Sequence, residues 1–577
     1  MPIHNREIAD VFNRVADLLD IEGENQFRIR AYRKAARIVV DLPRNVGDMV
    51  REGEDLTRFS GIGKDLAGKI KEIVETGVLG QLKELEKKTP PDLSRLMKME
   101  GLGPKRVQTL HKELGINDLD GLKKAAEENR IRKLEGFGEK TEKLILEALE
   151  RMKDEGEKER IKLFAAEQIA NDYVDYLKKG RGIKDIAVAG SYRRRMETVG
   201  DLDILVTCKK GSQVMERFVE YEDVAKVLSK GTTRSSVVLR TGLHVDLRLV
   251  PQVSYGAALH YFTGSRDHNI AVRGLGVKLG LKINEYGVFR GKDEERVAGR
   301  TEEEVYRQVG LPYIEPELRE NRGEIEAARN NKVPILIRRD DIRGDLHVHT
   351  NETDGRQTLE EMVQAAREQG YEYLAITDHS KRVTMAKGLD ARRLAKQIDA
   401  IDTLNGKVRG IRILKGIELD ILEDGSLDLP DDILKELDLT VCSIHYNQNL
   451  SRKRMTERVI RAMDNPFFTI FAHPTGRLIG GRKGYEIDLE AIMKAAGERG
   501  CVLELNAHPD RLDLDDHNCR MAKEMGLRVV ISTDSHSSSD LDFMRFGVYQ
   551  ARRGWLEKDD VLNTRSFSEI EGLLKRK

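Results

Sequence analysis

Apolar residues recur at helical spacing near the start of the chain. Ile8-Ala9, Phe12, Val15-Ala16 and Leu19 fall on one stripe, and Asp41-Leu42-Pro43 breaks the run. Residues 1–90 therefore read as short amphipathic helices, one of which opens after Gly61-Ile62-Gly63 and covers 64–74. Past residue 180 the period shortens. Ile186-Ala187-Val188-Ala189 reads as a buried strand closed by Gly190, Asp203-Ile204-Leu205-Val206-Thr207 as a second, and the run from 244 to 250 as a third. His260-Tyr261-Phe262-Thr263-Gly264 reads as a turn at a strand end. From 345 onward short β-branched strands alternate with helical stretches, the pattern of a β/α barrel. Between these regions Pro316, Pro334 and the charge-dense stretch 319–329 read as a linker.

Composition narrows the class. At 577 residues, 39% hydrophobic and 34% charged, the chain should hold several folded domains rather than one core or a disordered coil. No apolar run is long enough to span a bilayer, and the first residues lack a signal-peptide core, so no membrane partner is expected. Cys208, Cys442, Cys501 and Cys519 are scattered without a Cys-x-x-Cys pair, which suits reduced thiols in the cytoplasm. Lys plus Arg and Asp plus Glu both total 99. By region the balance is 28 − 28 = 0 for 1–150, 35 − 30 = +5 for 151–340 and 36 − 41 = −5 for 341–577. The basic excess lies in the middle third, where phosphates would be bound; the acidic excess lies where metal ligands are argued below.

Asp201 and Asp203 sit two apart on the second strand, so their side chains share a face. Carboxylates held that close are costly unless a cation lies between them. Asp246 adds a third acid from an apolar run. With the Gly190-Ser191 turn and Arg193-Arg194-Arg195 beside them, these acids make a site for a Mg²⁺-bound triphosphate. Gly61-Ile62-Gly63, Gly101-Leu102-Gly103 and Gly136-Phe137-Gly138 each place Gly-apolar-Gly before a helix start, with Lys or Arg in the first turn. Two glycines free the backbone to approach a phosphate, and the helix N-terminus presents N–H groups to it. Such hairpins grip nucleic acid without reading its sequence. Gly63 to Lys69 also has P-loop spacing, but Ile70 stands where Ser or Thr would hold Mg²⁺ and no strand precedes it.

Gly190-Ser191, Gly200-Asp201-x-Asp203 and Asp246, followed by Tyr261-Phe262-Thr263-Gly264-Ser265 and Asn284-Glu285-Tyr286-Gly287, resemble the family X DNA polymerases, the relatives of polymerase beta. The resemblance implies transfer of a nucleotide to a primer 3′-OH by two Mg²⁺ or Mn²⁺ ions held by Asp201, Asp203 and Asp246. It implies phosphate contacts from Gly190, Ser191, Arg194 and Gly200, sugar and base contacts from Tyr261, Phe262, Gly264 and Asn269, and a template contact from Arg273. Two positions depart from the pattern: Arg266 stands for an Asp near the base, and His244 for an Arg near the primer end. The N-terminal stretch is similar to the family's lyase-type domain through residues 31–36 and the Gly61 hairpin. Lys69 aligns with its Schiff-base lysine, but Asp65 brings a negative charge to that pocket, favouring a gapped-DNA clamp.

Eight of the 13 histidines fall in 341–577. His347 and His349 share one face of a strand; Asp354, His379, Glu418, His445, His473, Asp534 and His536 follow at or just after successive strand ends. Ligands at the ends of barrel strands converge on one mouth, and nine of them suffice for three metals. Mixed nitrogen and oxygen donors suit Zn²⁺ or Mn²⁺. The order resembles the polymerase and histidinol phosphatase (PHP) family of metal-dependent phosphoesterases. By that analogy His347, His349, Glu418 and Asp534 hold one ion, Asp354, His379 and His536 a second, and Glu418, His445 and His473 a third.

Together these features resemble a bacterial or archaeal family X polymerase with a C-terminal PHP domain: multidomain α+β and α/β. The expected bounds are 1–90 helical lyase-like, 91–155 helix-hairpin-helix, 156–255 palm with a mixed sheet, 256–315 thumb, 316–340 linker and 341–577 distorted β/α barrel. The resemblance implies gap filling in DNA repair on gapped or primer-template DNA with dNTPs, by a monomer, paired with a 3′→5′ exonuclease and with 3′-phosphatase or abasic-site cleavage as further activities. The competing readings are a small-molecule phosphatase fused to a nucleotidyltransferase and a non-catalytic DNA-end-binding protein.

Overall fold

The computed structural model describes residues 5–41, 46–59, 61–90, 93–97, 102–134, 136–154, 160–291 and 295–574. The chain divides into two compact units, Met1–Glu159 and Arg160–Lys577.

The first unit is helical. Ile8, Phe12, Val15 and Leu19 on the helix Asn5–Glu22 pack against Tyr32, Ala35, Ala36 and Val39 of Gln26–Asp41, as their spacing requires. That second helix stops at Asp41, where a break is expected; Leu42 and Pro43 lie outside the described residues. The helix after Gly63 runs Lys64–Thr76, two residues longer than its apolar pattern, and ends on Gly77 in the left-handed region. A second core gathers Leu102, Val107, Leu110, Leu122, Ile131 and Ile145 around the later hairpins.

The second unit begins with a five-stranded mixed sheet in the order Ile183–Val188, Asp201–Cys208, His244–Leu249, Arg234–Leu239, Val224–Lys230. Asp201–Cys208 and His244–Leu249 run parallel; the other pairs are antiparallel. Leu202, Ile204 and Val206 turn to a core shared with the helix Leu163–Lys178, whereas Leu205 packs with Ala189 and Ala258 on the opposite face. Asp201 and Asp203 share Leu205's parity and so its face.

Two expectations are corrected in this unit. Residues 260–264 are not a strand-end turn: Tyr255–Thr263 is a helix, ended by Gly264 at φ 69°. A short apolar run bounded by glycine reads equally well as helix or strand, and only packing decides. Residues 316–340 are not an open linker. They form a turn at Pro316–Leu318 and a helix Glu324–Arg329, and Leu318, Ala328, Leu336 and Ile337 are buried. Arg319 is completely buried because Glu302 accepts from its Nη1 at 2.6 Å and the Ile314 carbonyl from its Nε at 2.9 Å. Charge density signals a linker only while the charges stay in water; here Arg319 and Glu324 are buried and paired, with Glu302 and His268.

The C-terminal strands are all parallel and lie in two arcs. Gly344–Val348, Tyr373–Ile376 and Arg412–Lys415 form one; Glu418–Asp420, Val441–Ser443, Ile470–Phe471, Val502–Asn506 and Val529–Ser532 form the other. The arcs meet at single bridges, Val348 with Ser535 and His379 with Glu418, rather than in one closed ladder. Both junctions lie where the chain turns its side chains toward the candidate metal centre, so regular pairing gives way there. Strand residues alternate between two cores: Tyr373 and Ala375 in one, Leu374 and Ile376 in the other.

Candidate active sites

The first centre is built by register. Asp203 lies opposite Asp246 in the parallel pair, with Asp201 two residues before it on the same face. Burial, then the like charges of Asp201 and Asp246, push the Asp203 carboxyl up to about 6. Gly190 closes the neighbouring strand at φ 66°, where a Cβ would lie 3.1 Å from Asp203 Oδ2, so only glycine lets the turn come this close. Asp246 Oδ2 accepts from Arg234 Nη2 at 2.9 Å. Three acids on one face, one of them already resisting ionisation, fit a divalent cation site.

The arginines beside the turn are held rather than free. Arg193 donates to both oxygens of Glu302 (2.9 and 2.6 Å) and to Thr263 Oγ1. Burial alone would raise Glu302, but Arg319 and Arg193 pull it down to about 2. Arg194 donates to Glu320 Oε1 at 3.0 Å and to the Thr263 carbonyl at 2.5 Å. Gly264 is buried beside it. Tyr261 and Phe262 sit at the end of their helix, with the Arg248 guanidinium 4.3 Å from the Phe262 ring centre. Asn269 Nδ2 donates to the Tyr261 carbonyl at 2.7 Å, and Arg273 lies exposed on Arg266–Lys278. Ser191 lies in the turn Gly190–Arg193, and Gly200 immediately precedes Asp201.

The second centre gathers all nine expected residues. Glu418 is its hub: Oε2 lies 3.6 Å from His347 Nε2, 3.6 Å from His349 Nε2 and 2.7 Å from His379 Nδ1, while Oε1 lies 3.4 Å from His445 and 3.2 Å from His473. Donor atoms within 4.8 Å of one another form three groups: His349, Asp354, His379 and His536; His347, His349 and Asp534; and His379, Glu418 and His445. Among the described residues such tight groups occur only here; the Asp201, Asp203 and Asp246 oxygens are not drawn so close. The grouping differs from that implied by analogy, since His349 joins the second set and His379 stands with Glu418 and His445, with His473 alongside.

The donors fit metal ions. His347 Nε2, both ring nitrogens of His349 and Glu418 Oε2 are buried without a hydrogen-bond partner among the described residues. Burial, with His536 and His379 alongside, lowers His349 to about 3, so its imidazole stays neutral and ready to ligate. One residue the sequence reading missed completes the centre. Glu504, fully buried, accepts from His347 Nδ1 at 2.7 Å and from the His473 backbone N–H at 2.7 Å. It fixes the tautomer that turns Nε2 toward the cluster. The available signal was an acid embedded in Val502-Leu503-Glu504-Leu505. Similarly, buried Asp420 sits 3.3 Å from His445 Nδ1 and pairs with Arg382.

In the N-terminal unit, Gly63 and Gly103 cap the helices Lys64–Thr76 and Pro104–Leu114 in extended conformation. Gly61 and Gly136 take φ 117° and 79°, Gly138 precedes Glu139–Asp154, and Gly101 lies outside the described residues. Arg28, Tyr32, Gly61 and Gly63 line a pocket at the first hairpin. Lys69 Nζ pairs with Asp65 and lies 5.6 Å from the Tyr32 ring centre. Burial lowers its pKa, but hydrogen bonds to Asp65 and Tyr32 outweigh this and leave it raised, opposite to what a Schiff-base lysine needs.

The DNA polymerase beta palm family matches residues 162–252 and the DNA polymerase beta thumb family 258–320. The PHP domain matches 345–508, a helix-hairpin-helix domain 3–79 and a SAM-like helix-hairpin-helix tandem 93–151. A DNA polymerase/3′-5′ exonuclease PolX of Bacillus subtilis (strain 168) is 40% identical over the whole of both chains. The chain belongs to the family X DNA polymerases that carry a PHP domain. A probable phosphatase of Thermoanaerobacter sp. (strain X514) is 31% identical over 40% of this chain and 94% of its own, and one of Acetivibrio thermocellus is 32% identical over 40% and 95%. In this family frame the palm match contains Gly190 and the three acids, and the thumb match contains Tyr261 to Arg273, Glu302 and Arg319. The PHP match holds seven of the nine candidate ligands; Asp534 and His536 follow it.

Proposed function

We propose that this chain extends the 3′ end of a primer across short gaps in DNA, in repair, and that its PHP centre removes nucleotides from 3′ ends. The observation that carries the reading is Asp203 standing opposite Asp246 in parallel register, with Asp201 on the same face and the Gly190 turn against the Asp203 carboxyl. Asp201, Asp203 and Asp246 bind Mg²⁺ or Mn²⁺; such ions, when bound, lower the pKa of the primer hydroxyl and screen the triphosphate. Gly190, Ser191, Arg194 and Gly200 orient the phosphates, Tyr261, Phe262, Gly264 and Asn269 shape the sugar and base site, and Arg273 meets the template. The Gly61, Gly101 and Gly136 hairpins hold the DNA backbone, and Lys69, bound by Asp65, clamps phosphate rather than forming a Schiff base. His347, His349, Asp354, His379, Glu418, His445, His473, Asp534 and His536 take up to three Zn²⁺ or Mn²⁺ ions. The protein acts as a monomer in the cytoplasm; no described helix is long and apolar enough to cross a membrane.

The probable phosphatases, matched over nearly their whole length, favour a second activity at the PHP centre: hydrolysis of a phosphomonoester, with a 3′-phosphate as the ester relevant to a polymerase. Primer extension and 3′-end degradation by Asp203→Ala and His349→Ala proteins test both assignments. Asp203→Ala should lose extension alone and His349→Ala degradation alone. Extension by the first variant overturns the palm assignment, and degradation by the second overturns the PHP assignment.

A further inference from the structure

The PHP-side helix Met544–Arg553 packs against Arg194 and Arg195, the two arginines that follow the turn Gly190–Arg193. Arg545, Tyr549 and Arg553 are spaced four apart, so they share one helix face. Arg545 Nε donates to Glu167 at 3.0 Å, and Glu167 lies 3.5 Å from Arg195. The Tyr549 ring centre lies 4.2 Å from the Arg195 guanidinium. Arg195 has φ 56°, a conformation poorly suited to a residue with a Cβ, so its side-chain anchors hold the turn in place. Arg553 is 4% exposed, and its two terminal nitrogens divide between the Arg194 side and Asp516. Nη1 donates to the Arg194 backbone carbonyl at 2.9 Å and to Glu320 Oε1 at 3.1 Å, the same oxygen that accepts from Arg194 Nε. Nη2 donates to Asp516 at 2.7 Å, which Arg322 also holds at 2.9 Å.

We infer that Arg553 is a positioning residue for nucleotide incorporation: from the PHP side it fixes both the backbone and the counter-ion of Arg194, so the phosphodiesterase domain is also a structural part of the nucleotide site. The inference rests on the proposed reading of Arg194 as a triphosphate contact. Here a buried guanidinium grips a main-chain carbonyl of the nucleotide turn and shares the carboxylate that aims Arg194. Glu320 keeps Arg194, and Asp516 keeps Arg322, when Arg553 is replaced, so neither acid is left buried alone.

The test uses the full-length protein on DNA with a one-nucleotide gap, measuring incorporation against dNTP concentration, and 3′→5′ degradation by the same preparation. Arg553→Met should raise KM for dNTP about ten-fold with kcat within about two-fold, and leave degradation unchanged. Arg553→Lys should recover part of the loss. Tyr549→Leu should shift KM in the same direction. Arg194→Gln serves as the reference. If it raises KM while Arg553→Met does not, the positioning role is overturned and the Arg194 contact stands; if neither raises KM, both fall. A proportional loss of incorporation and degradation in Arg553→Met and Tyr549→Leu marks a folding role alone and also overturns the inference.

Discussion

Replacing Asp203 by Asn should stabilise the metal-free protein while abolishing primer extension. In the fold, burial and the neighbouring Asp201 and Asp246 move this carboxyl from 3.8 to about 6. The folded pKa exceeds the unfolded one, so between those values the folded state holds more protons, and stability falls as pH rises through the window from 3.8 to about 6. Above it the full cost remains, about 3 kcal/mol from 1.36 kcal/mol per pH unit. Asn keeps the shape without the charge and recovers roughly 1–3 kcal/mol once its own amide desolvation is deducted. With an unfolding entropy of about 2.1 cal/mol/K per residue over a unit of roughly 400 residues, that is about 1–3 °C. The assay is thermal unfolding of the full-length wild type and variant in excess chelator at pH 4, 6 and 8. The gap should be largest at pH 8 and close toward pH 4. Added Mg²⁺ should erase it by stabilising only the wild type. A variant no more stable than wild type at pH 8 in chelator, or a gap independent of pH, refutes the account of Asp203 as a strained carboxylate.

Three further outcomes follow from the same geometry. Glu418→Gln removes the hub shared by His347, His349, His379, His445 and His473, so bound metal and 3′-end degradation should fall at least about 100-fold while primer extension persists, read by elemental analysis and paired assays. Glu504→Ala leaves every direct ligand in place but frees His347 Nδ1, and should weaken metal affinity about 10–100-fold in a chelator competition. Gly61→Ala puts a Cβ 2.5 Å from Lys34 Cε at φ 117°; it should cost the N-terminal unit roughly 1–3 kcal/mol in unfolding and weaken gapped-DNA binding.

The chemistry was more legible than the folding around it. Asp201 and Asp203 could be placed on one face because strand parity depends only on sequence separation, and their partnership with Asp246 follows from parallel register. The nine candidate PHP ligands were readable because they lie in or after successive apolar runs, a pattern visible without contacts. Glu504 was not: it lies inside an apolar strand, and only the approach of His347 from 157 residues away shows why an acid is buried there. Residues 260–264 read as a turn and fold as helix, because a brief apolar run lacks a decisive period.

By itself the sequence determined the two sets of candidate reacting groups and the helical hairpins, since those depend on residue type and local spacing. Tertiary structure alone decided which surroundings tune them. It paired Arg319 with Glu302 and so turned a charge-rich stretch into buried structure. It broke the C-terminal strands into two arcs around Glu418, and it set Arg553 against the Arg194 carbonyl across 359 residues of chain. Burial and long-range ion pairing are properties of the packed chain, with no local period to announce them.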